Sequence, residues 1–196
     1  MAHSVCPWWL GYFLLNPWRR RSQNPASILG SYIRPGMTVL EPGPGMGFFT
    51  LELARMVGSS GRVIAVDIQR KMLDKLKHRA LKAGLAGNLE ARTATPASMG
   101  ISDMAGKVDF TLAFAVVHEF PDARHFFSEV ATASKPGAAL LLAEPTGHVK
   151  ATLFARTRSR RTGWFSYRGT SGDSQESGST AEKSRVVEMV LSPQAR

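Results

Sequence analysis

The stretch Val39-Leu40-Glu41-Pro42-Gly43-Pro44-Gly45-Met46-Gly47-Phe48-Phe49-Thr50 constrains the chain most. An apolar run ends in an acid, glycine recurs at every second position, and an amphipathic segment follows over residues 49–57. That order predicts strand, tight loop and helix. Glycine lets the backbone turn with positive φ and lets a ligand approach where a Cβ would collide. The unpaired N–H groups of the following helix face the same space. Taken alone, the loop also fits an ordinary glycine-rich strand-to-helix turn. A second feature narrows the choice. Arg62-Val63-Ile64-Ala65-Val66-Asp67 reads as a short buried strand ending in a carboxylate, 20 residues beyond Gly47. An acid so placed can accept two ribose hydroxyls, although a lone aspartate there would serve equally as the cap of the next helix.

The loop departs from the dinucleotide pattern G-x-G-x-x-G, because Phe48 stands where the third glycine is required and the glycine falls at 47. The pattern acid-x-Gly-x-Gly-x-Gly, with Asp67 in register, resembles motif I of the class I S-adenosylmethionine (SAM)-dependent methyltransferases. The chain is similar to the small single-domain members related to those acting on quinone precursors and other small molecules. The resemblance covers residues 37–145 and is weaker on either side. It implies a Rossmann-like α/β fold, doubly wound, with a mostly parallel sheet and helices on both faces. It implies SAM as cofactor, with Glu41 near the cofactor's amino group and the backbone of Gly43, Gly45 and Gly47 beside its ribose and methionine. Asp67 takes the ribose hydroxyls, Ile68 and Gln69 flank the adenine, and Ala113 and Phe114 lie near the methionine end. Where the family often places an acid against the adenine amino group, this chain has Thr95-Pro96. Thr95, Ser98 or backbone groups are left to make that contact.

The rest of the pattern alternates strand and helix at the rhythm of a parallel sheet. Asn24-Pro25 reads as N-cap and first turn of a short helix over residues 26–33. Residues 69–83 form a periodic helix with Met72, Leu73, Leu76, Ala80 and Leu81 on its apolar side and Gly84 as terminator. A third strand is expected over residues 89–93 and a fourth over 108–117. Asp122 caps a helix carrying Phe126, Phe127 and Val130. Lys135-Pro136-Gly137 is expected to turn into a fifth strand over residues 138–143. Beyond it, residues 150–161 read as a basic helix, and residues 161–165 resemble the family's entry to its sixth strand. Residues 166–184 hold six serines and three glycines and read as a flexible loop, with a last strand over 185–191. Two outcomes are therefore open for the antiparallel hairpin that closes the family's sheet: an incomplete hairpin, or an end that diverges from the family.

Ligands in open α/β sheets bind outside the carboxyl ends of the strands. His118 and Glu119 follow the fourth strand, and Glu144 and His148 follow the fifth. His118 is the candidate general base, with loop capping as its structural alternative. Glu119 is the candidate to orient it or to touch substrate, and Glu144 and His148 are lesser candidates for substrate contact. A base serves only a nucleophile that carries a proton. No spacing among His118, Glu119 and His148 demands a metal, and none is expected. With Cys6 as the single cysteine, there is no disulfide framework and little to hold arsenic, so arsenite methylation is disfavoured.

Charge bears on partners. The net charge is +10, with +4 in residues 1–40, +2 in 41–150 and +4 in 151–196. Basic ends suit nucleic acid, an anionic membrane surface or simple solubility. Residues 5–18 are apolar and aromatic and are followed by Arg19-Arg20-Arg21, too short a run to span a bilayer and a poor signal peptide. Residues 1–36 are read as a segment before the catalytic domain of 37–196. Three roles fit its aromatic stretch: a lid over the active site, a peripheral membrane contact through residues 5–21, or plain packing on the core. The expectation is a cytoplasmic enzyme that methylates a small apolar or aromatic acceptor. The alternatives are a nucleic-acid methyltransferase, or a SAM-binding partner protein without catalysis.

Overall fold

The computed structural model describes residues 23–145 and the strands Phe165–Gly169 and Ser184–Leu191. The apolar segment at 5–18, Arg19 to Arg21, His148 and the basic stretch at 150–161 lie outside the described residues. Strands β1 (Thr38–Pro42), β2 (Arg62–Asp67), β3 (Leu89–Thr93), β4 (Val108–Phe114), β5 (Ser134–Pro145), β6 (Phe165–Gly169) and β7 (Ser184–Leu191) form one sheet of order β3-β2-β1-β4-β5-β7-β6. The first five are parallel, and β7 runs antiparallel to both β5 and β6. The last strand expected over 185–191 is thus present, and with β6 it closes the sheet as an antiparallel pair, neither incomplete nor divergent. β7 pairs with β5 over seven positions, from Ala139↔Val190 to Pro145↔Ser184. The edge strand β6 (Phe165–Gly169) starts in the stretch read as the sixth-strand entry and runs into residues 166–169, whose serine and glycine had suggested loop.

Alternation along the strands divides the core between the two faces. Val39, Val63, Phe110, Leu112 and Leu141 pack with Leu29 and Ile33 and with Phe49, Leu53 and Val57. That face carries α1 (Pro25–Leu29) and α2 (Thr50–Val57). Ala65 of β2 extends it to Leu73, Leu76 and Ala80 of α3 (Arg70–Lys82). Leu40, Ile64, Ala113, Leu140 and Leu142 face the other way, against Phe126, Phe127 and Val130 of α4 (Ala123–Ala133). Helices thus cover both faces, the doubly wound arrangement.

Local signals place most boundaries. Asn24 Oδ1 accepts from Ala26 N–H at 3.1 Å and Asp122 Oδ1 from Arg124 N–H at 2.8 Å, each capping the helix expected after it. Helix α1 ends at Leu29 rather than 33. The Arg34 guanidinium donates to the carbonyls of Gly30 and Ile33 beyond it. After α3, Gly84 takes φ +69°, with Leu85 N–H bonded to Ala80 O and Gly84 N–H to Leu81 O. This double closure satisfies the last carbonyls of the helix. Leu81 is 68% exposed and lies outside the core, a correction to its expected place. The periodic stripe is narrower than the apolar residues suggest. Lys135-Pro136-Gly137 is no turn before a strand but lies within β5. The β4–β5 register jumps from Val108↔Ser134 to Phe110↔Ala139, so the residues between bulge out.

Among the described residues, no helix is long and apolar enough to cross a membrane.

Candidate active site

The carboxyl ends of β1, β2, β4 and β5 converge on the glycine loop. Glu41 is the fourth residue of β1, paired with Ala65, not a loop residue. Its side chain is 3% exposed, and Oε2 has no hydrogen-bond partner among the described residues. Burial pushes its carboxyl up to about 8; the neighbouring Thr50 hydroxyl offsets part of this and the Asp67 charge adds to it. A buried polar atom without a partner is costly, which marks Glu41 as a group awaiting a donor or cation.

Gly43, Gly45 and Gly47 all have positive φ, at +66°, +55° and +86°. At 43 and 47 close packing adds a second requirement. A Cβ on Gly43 would lie 2.4 Å from Val116 Cγ2, and one on Gly47 would lie 2.5 Å from Leu76 Cδ1. Above Gly45 there is nothing within 4 Å of such a Cβ. The loop is therefore walled by Val116 and Leu76 and open at its middle. Arg79 of α3 reaches across and donates through Nη1 to the carbonyl of Met46. No local motif pointed to Arg79, since a basic residue in an amphipathic helix reads as solvated.

Asp67 ends β2 and accepts from Gln69 N–H at 2.8 Å through Oδ1. Its carboxyl is raised to about 6, first by burial and then by the negative charge of Glu119; the N–H groups of Gln69 and Gly45 pull the other way. Three carboxylates, Glu41, Asp67 and Glu119, thus influence one another around the open loop. Such a cluster favours a ligand that brings positive charge and hydroxyl donors. Ile68, next in the chain, is 40% exposed, an apolar surface at the rim.

Ala113 and Phe114 end β4 and face opposite sides of the sheet. Ala113 is buried with Val116 and Val117, whereas the Phe114 ring packs on Phe49 with centroids 4.6 Å apart. Ala115 follows with φ +53°, a strained value for a residue with a Cβ. The fourth strand stops at Phe114 instead of running to 117. Val117–Glu119 form a 3₁₀ turn that carries His118 and Glu119. His118 Nδ1 lies 2.6 Å from Oε2 of Glu144, which is fully buried at the tip of β5. Glu144 Oε1 accepts from the N–H groups of Val116 and Val117 at 3.0 and 2.7 Å. The structure therefore pairs His118 with Glu144, and the charge of Glu119 acts on Asp67. Glu144, a lesser candidate for substrate contact, is thereby held inside the protein by three contacts.

Thr95 sits in an exposed turn closed on itself, its Oγ1 accepting from Ser98 N–H at 3.1 Å. Ser98 Oγ donates to Glu129 Oε1 at 2.6 Å, so both side chains considered for the adenine amino group have protein partners. A cleft of about 210 Å3 opens beside this turn, lined by residues that include Pro96, Ser98, Phe120, His125 and Glu129. It shares no lining residue with the glycine loop. Among the described residues, no group of three or more His, Cys, Asp or Glu is placed to hold a metal.

Residues 33–184 match a family model described as a methyltransferase domain. A ubiquinone/menaquinone biosynthesis C-methyltransferase, UbiE, from Enterobacter is 31% identical over 114 residues, covering 58% of this chain and 45% of that protein. The UbiE of Cellvibrio japonicus is 41% identical over 63 residues, 32% of this chain and 25% of that one. The chain spans less than half the length of these curated relatives. A SAM-dependent methyltransferase from Aquifex aeolicus superposes with a TM-score of 0.78 at 22% identity, over 95% of this chain and 98% of that one, and shares the fold.

Proposed function

The chain belongs to the methyltransferase-domain family, and from that premise we propose that it transfers a methyl group from SAM to a small apolar or aromatic acceptor. The observation that carries this reading is Glu41. Its buried, unpartnered Oε2 stands beside an open glycine loop that also faces Asp67. A cofactor with an ammonium, a sulfonium and a ribose diol would meet each of these needs. When bound, SAM supplies a methyl group on positively charged sulfur, which leaves as a neutral thioether.

The chain's own residues then bind, orient and exclude water. Glu41 meets the ammonium, Asp67 accepts from the ribose hydroxyls, and Gly45 lets the cofactor lie against the backbone. Ile68 and Gln69 flank the base, and Ala113 and Phe114 bound the methionine end. His118, on the β4 loop, takes a proton from the acceptor. Aligning the two reactants in a dry site is the main protein contribution to such a displacement. The apolar, aromatic composition of residues 5–18 favours an apolar acceptor.

One observation supports a second reading. Helix α3 begins just past Gln69 and exposes Arg70, Lys71, Lys75, Lys77 and Lys82 against a single acid, Asp74. A basic face beside the cofactor site suits a nucleic-acid acceptor.

The test is calorimetric titration with SAM and S-adenosylhomocysteine, with NADH as control. Micromolar binding of both sulfur nucleosides, lost in Asp67→Ala, is the expected result. Absence of binding in folded protein would overturn the enzyme reading and leave a scaffold role. With binding established, an acceptor screen of phenols, quinols and tRNA separates the small-molecule reading from the nucleic-acid one.

A further inference from the structure

The β4 loop is organised by one carboxylate from another strand. Ala115 turns the chain through positive φ, its N–H donating to Ala143 O at 2.7 Å. The next two N–H groups, of Val116 and Val117, then converge on Glu144 Oε1, and the ring of His118 arrives at Oε2. As a carboxylate, Glu144 offers acceptors only, so the proton shared with the ring sits on Nδ1. In a neutral imidazole the other nitrogen is then the acceptor. We infer that Glu144 is a positioning residue that holds His118 as the Nδ1–H tautomer and makes Nε2 the atom that receives a proton from the methyl acceptor.

The assignment of the tautomer rests on the geometry alone; its use in catalysis rests on the methyl-transfer reading above. It names a substrate class. A base at Nε2 is of value when the attacking atom carries a proton, as in a phenol, an enol or the ring carbon of an electron-rich phenol. The electron pair of that atom forms the bond to the methyl carbon, and the pair of the broken carbon–sulfur bond stays on sulfur. The acceptor's proton moves to Nε2. The imidazolium so formed faces the Glu144 carboxylate until water takes the proton. Acceptors without such a proton, such as thioethers, gain nothing from the dyad. The same carboxylate also holds Val116, the residue that walls Gly43, so its two oxygens have separable tasks.

Glu144→Gln separates them. The amide oxygen can keep the Val116 and Val117 N–H groups, while its NH2 faces Nδ1 and forces that nitrogen to accept. The ring proton then moves to Nε2. The measurement is a long-range ¹H–¹⁵N spectrum of the ¹⁵N-labelled full-length chain at about pH 9, above the ordinary imidazole pKa of about 6.5. His118→Gln identifies the His118 signals among those of the five histidines. The expected result is Nδ1–H in the wild type and Nε2–H in E144Q. An Nε2–H ring in the wild type, or an unchanged tautomer in folded E144Q, would overturn the inference. Should E144Q fail to fold, the wild-type spectrum decides alone. Neither cofactor nor acceptor is needed, so failure to bind SAM and failure of this assignment are read separately.

Discussion

Val116 packs against Gly43 so closely that a single methyl group at position 43 would lie 2.4 Å from Val116 Cγ2 and 2.8 Å from its Cβ. The wall of the candidate acceptor side and the floor of the cofactor loop are thus one contact. Gly43→Ala is expected to lower the melting temperature more than Gly45→Ala, which meets nothing within 4 Å and bears only the left-handed backbone cost of about 1–2 kcal/mol. Cofactor binding should fail in both, in the second because the methyl group occupies the open face. Thermal melts and titration with SAM check the ordering. Equal melting temperatures would show that the Val116 contact relaxes freely.

Stability should fall with rising pH in the absence of cofactor. The Glu41 carboxyl is raised from 4.5 to about 8, so between those values the folded chain binds more protons than the unfolded chain. Unfolding free energy then decreases as pH rises through that window and levels off above about 8. Asp67, raised from 3.8 to about 6, adds the same sign at the lower end. Urea melts from pH 5 to pH 8 measure the slope, and Glu41→Gln should flatten its upper half.

Cofactor affinity should run the opposite way. A cationic ligand needs Glu41 ionised, so the dissociation constant is expected to fall with pH between about 6 and 7.5, by at most about tenfold per unit. Glu41→Gln should weaken binding and remove this dependence. A wild-type affinity flat across that range would mean that Glu41 does not meet the cofactor's charge.

Arg79 donates to the Met46 carbonyl inside the loop. A hydrogen bond from a charged donor is worth about 1.5–3 kcal/mol. Arg79→Ala should therefore weaken SAM binding by about tenfold or more while leaving the fold, held by Leu73, Leu76 and Ala80, cooperative. Calorimetry with a parallel melt distinguishes a loosened loop from a loosened core.

Ala115 is the non-glycine residue with positive φ among those described. Ala115→Gly removes a left-handed backbone cost of about 1–2 kcal/mol against an unfolded-chain entropy cost of about 0.4–1 kcal/mol, so it should raise stability by about 0.5–1 kcal/mol. The melt gives the sign.

Much of this protein was legible along the chain. The apolar run into Glu41, the alternate glycines and Asp67 at its distance encode backbone geometry, and backbone geometry follows from local sterics and hydrogen bonding. Asn24, Asp122 and Gly84 fall where helices start and stop for the same reason. What tertiary structure decided are the meetings of side chains distant in sequence. Glu144 reaches His118 across 26 residues only because β4 and β5 pair in a register that sets Phe114 beside Ala143. The neighbouring Glu119 was the simpler expectation, and a local window holds no sign of Glu144. Leu81 looked like core because periodicity counts residue type, whereas burial depends on how wide a face the sheet can cover. The last strand was legible at 185–191, whereas most of β6 was hidden because serine and glycine weaken a local strand signal, and it is the edge of β7, itself paired to β5, that supplies its hydrogen bonds. Local pattern determined the frame; strand register, which no local window contains, chose the partners.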